Sequence, residues 1–163
     1  MSAHEPAAHL NGLEAGRRPL PRHDPFDPPY HEAMADFPGI THVALTVSDL
    51  DRSARWYEML FGARPDKLDD SGAFRVAVWI LRGGTVIALH QFKNPRSEAF
   101  DELRPGLDHV AFSCASREEL AAWAARLDAL EIEHGAICDE PYGSGLSFRD
   151  PDNIALEFFS ART

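Results

Sequence analysis

Apolar and polar positions alternate along Ile40–Val47, with Val43, Leu45 and Val47 on one side and His42, Ala44 and Thr46 on the other. A period of two with several β-branched residues predicts a strand. The period then changes. Leu50, Ala54, Tyr57 and Phe61 recur at spacings of three and four, so a helix capped by Asp49 or Asp51 is expected to run to Phe61 and stop at Gly62. A weak strand near Pro65–Leu68, a turn at Asp69–Gly72 and a strand Phe74–Leu81 follow, and Arg82-Gly83-Gly84 reads as a hairpin turn into a return strand Thr85–Phe92. Leu107–Cys114 alternates again. Ser116 with Glu119 three residues on forms a capping box, opening a helix to about Leu130. Strands are predicted near Ile132–Ile137, Leu146–Phe148 and Ile154–Phe159, with turns at Gly143-Ser144-Gly145 and Asp150-Pro151-Asp152-Asn153.

The two halves of this pattern are copies. His42-Val43-Ala44-Leu45 is echoed by His109-Val110-Ala111-Phe112, 67 residues on, and Trp56–Trp123, Leu60–Leu127 and His90–Glu157 repeat the same interval. So many coincidences at one offset indicate a duplicated unit, each copy reading strand, helix, then three strands.

The repeat also collects the candidate chemistry. His42 shares its strand face with Ala44 and Thr46, and His109 shares its face with Ala111 and Ser113, so small neighbours leave room for a ligand at each histidine. His90 shares a face with Ala88. Glu157 stands in Ile-Ala-Leu-Glu-Phe-Phe, a carboxylate amid large apolar residues. Burying it unpaired is costly, so it is expected to be paired, protonated or metal-bound, and a divalent ion would also employ the two histidines. Trp56 and Trp123 fall in helical stripes and are expected in the core.

Composition narrows the remainder. A net charge of −10 opposes nucleic acid or an anionic membrane as partner. No apolar run approaches the ~20 residues of a membrane span. The opening MSAHEPAAHLNGLEAGRR lacks the apolar core of a secretory signal, and Arg17-Arg18 reads as solvated charge, so a cytoplasmic location is expected. Cys114 and Cys138 are expected as buried, reduced thiols. Residues 1–38 hold seven of the twelve prolines and four of the eight histidines, irregularly spaced, and read as an arm rather than a metal site. The expected organisation is this arm, then a domain over 39–163 with module one at 39–93, a linker at 94–104 and module two at 105–160.

At this point the chain resembles the vicinal oxygen chelate superfamily of glyoxalase I, extradiol dioxygenases and bleomycin and fosfomycin resistance proteins. The resemblance covers residues 39–160 and rests on Gly39-Ile40-Thr41-His42-Val43-Ala44-Leu45, on Leu107-Asp108-His109-Val110-Ala111-Phe112 and on the closing run from Leu146 to Glu157. It implies an α+β fold, two tandem βαβββ modules forming a cup-shaped mixed sheet around a metal site with helices on the outer face. The ligands implied are His42, His109 and Glu157, with His90 as fourth ligand or base where glyoxalase I-like enzymes carry glutamate. Two histidines and one carboxylate leave open positions on Fe(II), and Zn, Ni or Mn would also fit. The resemblance thus implies an enzyme on a small substrate chelating through adjacent oxygens, with extradiol-type dioxygenation the leading reading. A glyoxalase-like lyase or isomerase, a thiol or other group transferase and a non-catalytic drug-binding protein are the alternatives. His134, Tyr142 and Arg149 are candidate substrate or outer contacts, and a homodimer is expected because each module leaves a sheet edge to cover.

Overall fold

The computed structural model describes residues 38–94 and 98–162, so the arm expected over the first residues lies outside them, apart from Pro38. Chain order is β1 (His42–Thr46), α1 (Leu50–Phe61), β2 (Lys67–Asp69), β3 (Phe74–Ile80), β4 (Val86–Phe92), then β5 (Val110–Ser113), α2 (Arg117–Ala129), β6 (Cys138–Glu140), β7 (Gly143–Arg149) and β8 (Ala155–Ala161). The first set forms a four-stranded sheet in the order β1-β4-β3-β2 and the second a matching sheet β5-β8-β7-β6. In each, the first strand runs parallel to the last and the other pairs are antiparallel. These are the two βαβββ modules.

The helix ends follow from local chemistry. Asp49 is extended and its carboxylate accepts from the Arg52 N–H at 3.0 Å, and Gly62 closes the other end at φ 71°, donating its N–H to the Glu58 carbonyl at 2.9 Å. Ser116 caps α2 by accepting from the Glu119 N–H, while the Glu119 carboxylate reaches back to the Ala115 N–H at 2.6 Å. No glycine follows α2; Glu131 takes the left-handed turn itself at φ 56°.

Two expectations for the second module are corrected. The segment Ile132–Ile137 is not a strand. Ile132 packs into the core and His134 makes only an isolated bridge to Phe148, while the third strand is the exposed, polar Cys138–Glu140. Gly143-Ser144-Gly145 is not a turn but the start of β7. Cys138 is therefore exposed, unlike Cys114, which is buried and has its thiol pushed up to about 11 by burial.

One core serves both modules. Leu45, Val47, Leu60, Trp79 and Leu89 of the first join Leu127, Leu146, Phe148, Leu156 and Phe158 of the second in a single buried cluster. Trp56 stacks on Phe148 and Phe61 meets Phe112 edge-on, so both tryptophan-bearing helices face this core as their stripes predict; Trp123 lies on Phe158 at 4.3 Å. Arg126 of α2 also donates to the carbonyls of Leu60 and Met59 at the end of α1.

The closing turn of module two adds a polar joint. Asp152 accepts from the Ser48 N–H at 2.9 Å, from the Ser48 hydroxyl at 2.5 Å and from Arg52 at 2.6 Å. Asp150 is buried, accepting from the Asp152 and Ile154 N–H groups at 2.8 Å and from the Tyr57 hydroxyl at 3.2 Å. Burial pushes its carboxyl up to about 6, although those donors pull the other way. The same burial, with Asp150 beside it, raises the Tyr57 hydroxyl well above its ordinary value.

Because both sheets bury their helix-bearing sides in the shared core, their other sides look away from it. On β1, His42, Ala44 and Thr46 are exposed while Leu45 is buried. The analogous face of module two carries Ala111, Ser113 and Glu157.

Candidate metal centre

His109 stands one residue before β5. Val110 is opposite Leu156 and Ala111 opposite Glu157, so Glu157 lies two residues along and one strand across from His109, on the same face. The His109 Nε2 atom is 3.5 Å from Glu157 Oε2. A tetrahedral ion with bonds of ~2.1 Å would set two donor atoms about 3.4 Å apart, so the pair fits one divalent ion without rearrangement. The Asp108 carboxylate accepts from His109 Nδ1 at 2.6 Å, an arrangement that leaves the Nε2 lone pair free for a metal.

Glu157 has room because of a glycine. Gly145 lies on the neighbouring strand, and a Cβ there would overlap Glu157 Oε1 and stand 3.1 Å from its Cδ. Gly143 similarly admits the Phe159 ring. Within β7, a side chain at Gly143 would meet the Ser160 carbonyl as well as the Phe159 ring, and one at Gly145 would displace the Glu157 carboxylate.

The other expected ligands are not gathered around this pair. His42 presents its ring on the exposed face of module one, with Nδ1 3.0 Å from the Thr41 hydroxyl. Among the described residues no three His, Cys, Asp or Glu side chains converge to hold an ion. His90 is opposite Thr46, four residues along from the pairing of His42 with Val86. Its ring stacks on Phe74 at 4.5 Å and 16° between planes. Strand register therefore equates Glu157 with Ala88, not with His90: Ala88 is two residues beyond Val86, the partner of His42. The interval of 67 that holds for the first strands becomes 69 in the last ones.

The three outer candidates are engaged elsewhere. His134 has one ring nitrogen 2.7 Å from the Gly135 carbonyl and the other 3.2 Å from Asp128, fastening the chain after α2. Arg149 grips Glu102 of the intermodule segment at 2.6 and 3.0 Å, holding that carboxyl down at about 2. Tyr142, at the β6–β7 turn, lays its half-exposed ring on Phe159 at 6.2 Å. Asp108 and Gly145 escaped the sequence reading. Asp108 was signalled by its place before His109, whereas nothing in the glycine itself announces a carboxylate across the strand.

The model of the Glyoxalase/Bleomycin resistance protein/Dioxygenase superfamily matches residues 39–158. Metallothiol transferase FosB of Shouchella clausii is 30% identical over 126 residues, 73% of this chain and 77% of that protein. A solved glyoxylase/bleomycin resistance protein/dioxygenase domain from Frankia sp. EAN1pec is 37% identical with a TM-score of 0.71, covering 78% of this chain and 94% of that one. The fosfomycin resistance protein FosX of Listeria monocytogenes shares the fold at 20% identity and TM-score 0.58, over 77% of this chain and 95% of its own. The chain belongs to the glyoxalase/bleomycin resistance protein/dioxygenase superfamily.

Proposed function

We propose that the protein is a divalent-metal-dependent enzyme acting on a small substrate held through adjacent oxygens. The ion would be bound by His109 and Glu157 of one chain and His42 of a second copy. The observation carrying this reading is the prepared pair: Nε2 and Oε2 at 3.5 Å, with Asp108 fixing one donor and Gly145 making space for the other. The second copy is invoked because the His42 face and the Glu157 face both turn outward from one core. Among the described residues β1 pairs only with β4 and β5 only with β8, so both leave an edge open beside a candidate ligand. A twofold dimer pairing β1 of each chain with β5 of the other covers both edges and completes two sites.

The bound ion would supply Lewis acidity toward the chelated oxygens. The chain's own residues orient and make room: Asp108 holds the His109 ring, Ala44 and Ala111 leave space beside the histidines, and in the dimer the apposed sheets would exclude water from the reacting atoms. Similarity to a metallothiol transferase favours addition of a nucleophile, such as a thiol, to the held substrate. Ala88 in the place of a fourth ligand argues against isomerisation, which needs a base there. Extradiol-type dioxygenation with Fe(II) is the second reading, favoured by two histidines and one carboxylate.

Mixing tests the site. His42→Ala and Glu157→Ala proteins should each bind no stoichiometric metal, yet refolded together they should recover about one quarter of the sites, those whose two halves are both intact. Failure to recover any, or full metal in His42→Ala, would reject the shared site. The metal-loaded protein should consume a thiol with an electrophilic oxygen-chelating substrate; O₂ uptake with a catechol panel instead would put dioxygenation first.

A further inference from the structure

The face of module one that carries His42 also carries an aromatic group that the metal reading does not use. Phe74, His90 and Phe92 share this face at its far end. Phe74 stacks on His90 at 4.5 Å, Phe92 tilts on Phe74 at 5.4 Å and meets His90 at 6.4 Å. Phe92 is 44% exposed, and Phe74 and His90 are half-buried. Among the described residues neither His90 ring nitrogen makes a hydrogen bond, so the imidazole keeps a donor and an acceptor for something else.

Along the β1–β4 side of this face the floor between His42 and this group is low, with Val78 and Val76 of β3 as its wall. Ala44 pairs with Ala88, and Thr46 with His90. Small side chains therefore run from the metal-ligating histidine to the aromatic end, over a span of about 13 Å for four residues at ~3.3 Å each. Flat rings at the end of a shallow slot suit a flat guest. Offset stacking adds to area burial, and a free imidazole nitrogen adds direction.

We propose that Phe74, His90 and Phe92 form a subsite for a planar aromatic part of the substrate, whose oxygen-bearing end reaches the ion. The substrate is thus an elongated molecule, an adjacent-oxygen head and an aryl or heteroaryl tail separated by on the order of 10 Å, the reach set by the strand rise. The tail stacks on the phenylalanine rings, and His90, free of the metal, hydrogen-bonds in its ring plane to a heteroatom at the tail's edge. This rests on the metal reading above and extends it to the substrate's far end.

The test uses the full-length cobalt-loaded protein and hydroxamates, which offer two adjacent oxygens. Acetohydroxamate should perturb the cobalt d–d spectrum. Hydroxamates carrying a phenyl ring on linkers of increasing length should bind at least tenfold tighter at one preferred length. Phe74→Ala and His90→Ala should each remove most of that gain, leave acetohydroxamate binding unchanged, and keep the native circular dichroism spectrum. His90→Phe should retain the gain for phenyl but lose the extra affinity of a pyridyl tail. Equal binding at all lengths, or a gain that survives both alanine variants, would overturn the subsite while leaving the metal site standing. A gain seen only after removal of residues 1–37 would also overturn it, making those residues the occupant of the face. Failure of the protein to bind cobalt would remove the metal reading, and with it the anchor of the subsite.

Discussion

The two modules share a fold and differ where it matters. In module two the last strand carries Glu157, with Ser147 opposite it and Gly145 making room beside it. At the equivalent places module one has Ala88, Val78 and Val76. One copy is hollowed around a carboxylate, and the other is filled with aliphatic side chains and ends in stacked rings. A duplicated unit can thus keep its first-strand histidine in both copies while only one has a carboxylate at this place. Around the carboxylate stand His109 at 3.5 Å, the empty Cβ position of Gly145 and the small Ser147 across the strand.

The largest test removes the carboxylate. Glu157→Ala should weaken metal binding at least a thousandfold, about 4 kcal/mol, by equilibrium dialysis. His90→Ala should leave metal affinity within twofold, and an equal loss in both would erase the distinction between modules. The next test strikes the joint between them. Asp150 has its carboxyl raised to about 6 from 3.8, so the fold favours the protonated form. The stability it contributes is full below pH 4 and is lost as pH rises through 6, up to about 3 kcal/mol at 1.36 kcal/mol per unit. Asp150→Asn should flatten that part of the urea-midpoint profile; an unchanged profile would place the acid elsewhere.

Smaller effects probe the hollow itself. Gly145→Ala should weaken metal about tenfold, about 1.4 kcal/mol, without changing any ligand. The same substitution should have no further effect in Glu157→Asp, whose shorter side chain no longer meets the added methyl; additive losses would refute the steric account. Smallest is the reverse experiment. Ala88→Glu with Val76→Gly should hollow module one and add a fourth donor, tightening cobalt binding a few-fold and shifting its spectrum toward higher coordination. Ala88→Glu alone, pressed against Val76 and Val78, should not.

Much of this was legible in the sequence, for identifiable reasons. The alternation at Ile40–Val47 and Leu107–Cys114, the cap at Asp49 or Asp51, the cap at Ser116 and the stripes bearing Trp56 and Trp123 are local signals. The strands form as the shorter His42–Thr46 and Val110–Ser113, and Asp49 and Ser116 are the caps. The pairing of His90 with Glu157 was a false equivalence with a physical origin. A slip of two residues keeps a side chain on the same strand face, so the face pattern could not expose it; only register does. The strand read at Ile132–Ile137 was misplaced because apolar residues there anchor a loop, while the true edge strand is short and polar. Which side of the core each histidine faces depends on how two sheets pack, and strand periodicity carries no such information.

Asp152 has a mechanical consequence. It lies five residues ahead of Glu157 and holds Ser48, two residues past the end of β1, the strand that begins with His42. A single carboxylate therefore clamps the exit of the His42 strand to the entry of the Glu157 strand. In the proposed dimer this joint would act as a short fulcrum with a half-site on either side. A displacement imposed at one would then reach the other through the bonds of Asp152 with Ser48 and Arg52.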